Sequence, residues 1–118
     1  MTVGDDLDTC RQAEKSRLAL ILGGYGARGR NFYVNTVSRY GYAKVLEQIQ
    51  DLYLSGKKDA AARAIPDELV DELTLVGPRA HVKEQLARWR NAGIRLFAAW
   101  TEQPEALRML AELEREEN

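Results

Sequence analysis

Glycines at 24, 26 and 29 fit the pattern G-x-G-x-x-G directly after the apolar run Leu18-Ala19-Leu20-Ile21-Leu22. Such a loop lets backbone approach a pyrophosphate and hands it to a following helix N-terminus. Glu47 would then supply the ribose-binding carboxylate. That chemistry needs Glu47 at the end of a second strand. It falls instead inside a strongly helical pattern, so no βαβ unit forms and a flexible turn between helices is the plainer reading. Arg28 and Arg30 offer planar forks suited to carboxylate or phosphate, against the plainer reading of a solvated basic loop. The single histidine, His81, sits in the first turn of a helix beside Arg79. The positive end of the helix dipole disfavours imidazolium there. With no metal partner and no nucleophile to serve, His81 reads as a surface residue. Cys10 occupies a core-like helical position and reads as a small buried hydrophobe. Trp89 and Trp100 read as packing aromatics, with Trp100 the better candidate for a ligand or subunit contact. Glu112, Glu114, Glu116 and Glu117 form a solvated face interspersed with Arg115.

The elements that must position these residues are mainly helical. Residues 5–22 open with Asp5 and Asp6, good cap and first-turn residues, and Gly23-Gly24 stop the pattern. Within it, 18–22 is ambiguous with a buried strand. Residues 30–40 are polar-aromatic and of uncertain type. Residues 42–54 are the clearest helix, with Tyr42, Val45, Leu46, Ile49, Leu52 and Tyr53 on one stripe and Ser55-Gly56 ending it. A short Ala-rich helix follows over 57–64. Pro66 and Gly77-Pro78 each restart the chain as a helix, the second running to Gly93 with Val82, Leu86 and Trp89 on one side. Residues 94–100 are apolar on both faces and read as the firmest strand, of the kind covered on both sides in a parallel sheet. A last helix ends near Glu116. One firm strand and one doubtful one do not make a sheet, because their outer N–H and C=O groups stay unpaired. Neighbours must come from another copy or from a larger α/β protein, or the chain is a helical domain with one edge ribbon.

Composition bounds the rest. The chain has 118 residues, 45% hydrophobic and 30% charged, with 17 Lys and Arg against 18 Asp and Glu. That balance excludes a basic nucleic-acid arm and an acidic tail as the main identity. One cysteine excludes an internal disulfide framework, and one Cys with one His excludes a Cys/His zinc site. No apolar run approaches the roughly 20 residues of a membrane span, and no export signal opens the chain. A cytoplasmic setting is expected, with no metal, nucleic-acid or membrane partner.

Leu75-Val76-Gly77-Pro78, then Val82, Leu86 and Ala92-Gly93-Ile94, resemble the luciferase-like monooxygenase superfamily. There a valine-glycine-proline turn opens the last barrel helix and alanine-glycine leads into the eighth strand. Upstream, Leu20 to Arg28, Asn31-Phe32-Tyr33, Ile49 to Gly56 and Ile65 to Val70 look like the deazaflavin-dependent branch similar to methylene-tetrahydromethanopterin reductase. The resemblance covers almost the whole chain, and the order and spacing of its pieces carry it.

It implies a predominantly α-helical chain with one or two β-strands, corresponding to the C-terminal part of a TIM (β/α)8 barrel, which needs roughly 250 residues. Residues 1–118 are then a single domain or a fragment. The implied activity is hydride transfer between reduced deazaflavin (coenzyme F420) or FMN and an organic substrate. Most of the cofactor cradle lies in earlier strands, so neither cofactor is expected to bind this chain alone. The same resemblance puts the glycine-rich loop at the open mouth of the barrel, with Tyr25, Arg28, Asn31 and Phe32 on the substrate side and the catalytic residues unassigned. The alternative is a small non-catalytic helical module that self-associates. On either reading a homo-oligomer, most simply a dimer, is expected from the uncovered 94–100 segment.

Overall fold

The computed structural model describes residues 1–117. Asn118, the last position of the expected 1–118 span, lies outside the described residues. Seven helices and two strands are assigned among them: β1 Thr2–Val3, α1 Leu7–Ala19, α2 Phe32–Val37, α3 Ala43–Leu54, α4 Lys58–Arg63, α5 Asp67–Leu73, β2 Val76–Gly77, α6 Arg79–Asn91 and α7 Pro104–Glu117. A π-helical turn, Leu20–Gly24, extends α1, and a 3-10 turn, Ser38–Tyr40, extends α2. The expectation of a predominantly helical chain with one or two strands holds.

The strands lie elsewhere than the apolar runs suggested. β1 and β2 pair in parallel, Thr2 with Val76 and Val3 with Gly77. Residues 94–100 join no strand pairing and carry no regular structure. Residues 18–22 are helical, and Gly23-Gly24 lie inside the π turn rather than ending the helix. A β-strand is completed by its neighbour, and apolar composition alone does not supply one.

The chain forms two compact units, one of Met1–Glu14 with Asp71 to the end of the described chain, the other of Lys15–Val70. In the first, Met1, Val3, Leu75, Val82, Leu86, Ala106 and Leu113 form the core, with Trp89, Phe97, Met109 and Leu110 packed on it. Gly93 ends α6 at φ 92°, a conformation that costs glycine no Cβ clash. The amides of Gly93 and Ile94 then bond the carbonyls of Arg90 and Trp89, a complete Schellman closure. α6 and α7 are tied by Arg79 to Glu112 and Glu116, and by Lys83 to Glu116 at 3.1 Å.

The two-residue strands are finished by side chains. Thr2 and Gly4 direct their amides to Leu75 and Gly77, so Val3 faces the outer edge. There Gln103 accepts from Val3 N at 2.7 Å and donates to Val3 O at 3.0 Å. On the other strand Gln85, fully buried, accepts from Val76 N at 3.0 Å and donates to the carbonyls of Asp71 and Thr74. Two amide side chains thus stand where further strands would pair.

In the second unit α3 packs against the π turn and α4. Leu22, Leu46, Ile49 and Leu69 are fully buried. Lys15 anchors to Asp67 at 2.7 Å.

Candidate functional site

Gly23 and Gly24 place the glycine-rich loop. A Cβ on Gly23 would stand 2.5 Å from Tyr53 Cβ, and one on Gly24 2.6 Å from Tyr53 Cε1. Glycine therefore lets the π turn lie directly against the α3 side chain. The loop leaves this contact, turns through the Arg30 amide bonded to Ala27 O at 3.0 Å, and enters α2 at Asn31. Asn31 is the N-cap. Its Oδ1 accepts from the amides of Tyr33 and Val34 at 3.0 and 3.2 Å, and its Nδ2 donates to Ile21 O at 2.9 Å. An asparagine ahead of a helix is a sequence-level cap signal.

The four residues expected on the substrate side are brought together in one loop and its helix, with different surroundings. Tyr25 is half-exposed and Phe32 is 71% exposed. Asn31 is fully buried and holds the loop to the π turn. Arg28 forms an ion pair with Asp51 of α3, both side chains well exposed. Tyr33, which sequence reasoning did not single out, joins the cluster, its ring centroid 6.0 Å from Tyr25 and 5.7 Å from Phe32, edge-on to the latter. Its adjacency to Phe32 was the available signal. Gln50 on α3 is buried, and its Nε2 donor has no hydrogen-bond partner among the described residues.

The loop is not built as a dinucleotide cradle. A helical turn, not a strand, precedes it. The helix that follows has six residues, and Glu47 is exposed on α3. Such a site requires strand, loop and helix in that order, with the carboxylate ending a second strand.

In the first unit, His81 is not a freely solvated residue. Its Nε2 is buried, makes no hydrogen bond among the described residues, and lies 3.5 Å from Asp71 Oδ2. That carboxylate is held by Arg11, through Nε at 3.0 Å and Nη2 at 2.6 Å. The helix start that fixes His81 aims it at the end of α5, a contact between elements that spacing along one helix does not reveal. Cys10 is buried as expected, and burial pushes its thiol up from the ordinary value. No group of three or more His, Cys, Asp or Glu stands ready to hold a metal ion among the described residues. None of the described helices is long and apolar enough to cross a membrane.

The described residues of this unit line cavities that include the following two. One, about 410 Å³, is lined by Ala98, Ala99, Trp100 and Thr101. The other, about 360 Å³, lies where α6 ends beside α7, and Arg90, Arg95 and Phe97 line it with Glu114 and Glu117. Neither offers an unengaged charged side chain to a cofactor phosphate. The first has no charged side chain in its lining. In the second, Arg90 already meets Glu114 and Glu117, and Arg95 donates to the carbonyl of Arg90.

Comparison with known proteins gives a consistent result. Residues 3–96 match the family described as luciferase-like monooxygenase. Over 113 residues, 96% of the chain, the sequence is 39% identical to a Mycobacterium tuberculosis protein named "Putative coenzyme F420-dependent oxidoreductase". The chain spans 33% of that relative's length. No solved structure matches it.

Proposed function

Because the chain belongs to the luciferase-like monooxygenase family, we propose that it serves as the C-terminal part of an oxidoreductase working with coenzyme F420 or FMN in the cytoplasm. The cofactor supplies hydride transfer to or from an organic substrate. The protein's share in such chemistry is to hold the substrate against the cofactor and to exclude water. On this reading the chain contributes the substrate-side loop and no cofactor slot of its own. The observation that carries the reading is the way the expected residues divide. Buried Asn31 fixes the loop, and Tyr25 and Phe32 are thereby presented outward.

The reading is tested in two steps. Titrated anaerobically with coenzyme F420 and with FMN, the 118-residue chain is expected to show neither stoichiometric binding nor hydride transfer. Substituted for the matching third of the Mycobacterium tuberculosis relative, it is expected to support turnover with reduced coenzyme F420. A soluble, folded chimaera without turnover overturns the oxidoreductase reading. Stoichiometric binding by the chain alone overturns the claim that it lacks a cofactor slot.

A second reading, a self-associating helical module, is favoured by one observation. Leu96 is 92% exposed and Trp100 75% exposed in the unpaired 94–100 segment. Contiguous apolar exposure of this kind marks association surfaces.

A further inference from the structure

Charge is segregated along this chain. Residues 15–46 contain six Lys and Arg and no Asp or Glu, whereas the whole chain has slightly more acidic than basic residues. The same stretch holds five of the nine Phe, Trp and Tyr residues. Lys15 and Arg28 are engaged in ion pairs. Arg30, Arg39 and Lys44 are exposed and make no side-chain hydrogen bond or ion pair among the described residues. Within this basic stretch, Tyr25, Phe32 and Tyr33 form an exposed cluster of rings in tilted and edge-on contact. Arg30 precedes Phe32 by two residues, at the turn where the loop enters α2.

We propose that Tyr25, Phe32 and Tyr33, with Arg30 of the same loop, bind a planar organic anion, an aromatic ring carrying a carboxylate. The proposal rests on the reading of this loop as the substrate side and names the substrate class. Ring edges and faces that stay exposed in the folded chain give a flat molecule stacking and edge contacts. A guanidinium without an internal partner offers a two-pronged pair of N–H donors to its carboxylate. Charge selects the sign of the occupant. A cation would find no acid within 15–46, and Asp51 is already taken up by Arg28.

The test uses 2-naphthoate and its neutral analogue 2-naphthylmethanol, titrated into the 118-residue chain without cofactor and followed by NMR of the aromatic side chains. Naphthoate is expected to saturate below about 1 mM and to shift the resonances of Tyr25, Phe32 and Tyr33, with the alcohol at least about tenfold weaker. Arg30→Gln is expected to abolish the difference between the two probes. Phe32→Ser is expected to weaken both. The two side chains are exposed, so each variant should keep the wild-type circular dichroism. Equal binding of the two probes overturns the proposal, as does saturation only above about 10 mM or an Arg30→Gln variant that still prefers naphthoate. No turnover is measured, so failure here is distinguishable from failure of the oxidoreductase reading.

Discussion

Trp89 stands partly buried on α6, its ring edge-on to Phe97 with centroids 6.1 Å apart. Deleting a fully buried aromatic costs about 3–5 kcal/mol, and the exposed part of this indole lowers that to roughly 2–3 kcal/mol. His81 fills space against the Arg11–Asp71 pair without a hydrogen bond of its own. Its truncation should cost roughly 1 kcal/mol, mostly by admitting water to that pair. Urea melts of Trp89→Ala and His81→Ala compare the two. A larger loss for the histidine variant would show that the imidazole does more than fill space. The burial of Cys10 was legible from helical spacing, and so was Asp6 as the cap of α1, where its carboxylate accepts from the Thr9 amide at 3.3 Å. The tie of Asn31 to the preceding turn and the contact made by His81 were not. Each depends on a partner from another segment, Ile21 O in one case and Asp71 in the other.

At the scale of elements, the helices were readable because a 3.6-residue stripe and its caps are local signals. The strands were not. β1 and β2 are two residues each, too short for any alternation to show, and they are defined by pairing with each other and with glutamine side chains. The apolar stretch 94–100 has the composition of a buried strand but no neighbour in this chain to pair with. On α7 Ala106 and Leu113 are buried and Leu110 packs on the core, while Leu107 stays half-exposed. The tie between α6 and α7 is electrostatic and titrates. Arg79, then Lys83, hold the Glu116 carboxyl below its ordinary value of 4.5. A depressed folded-state value means that this contribution is present above pH 4.5 and is lost as pH falls through the lower value. The contribution is small because the pair is exposed, and salt should weaken it further. Glu116→Gln should therefore destabilise the chain slightly at pH 7 and flatten its acid limb below about pH 4.5. Thermal melts at pH 7 and pH 3 decide it. An unchanged acid limb would show that the tie contributes nothing.

For the whole molecule, the near-balanced charge leaves little long-range repulsion between copies. Leu96 and Trp100 meanwhile expose large apolar side chains. Sedimentation velocity at tens of micromolar, roughly where weak interfaces still populate, should show a dimer, and Leu96→Lys should return it to monomer. A clean wild-type monomer at that concentration would remove the basis for self-association. How such contacts are limited follows from Gln103 and Gln85. A bare strand edge is a template on which further chains can add without end, the route into fibrous aggregates. Here primary amides meet both outward groups of Val3 and the outward amide of Val76, and a side-chain amide has no second edge to pass on. Replacing either glutamine by leucine would leave backbone groups unpaired and convert a terminated edge into a site of β-nucleation, visible as thioflavin-positive growth on gentle heating.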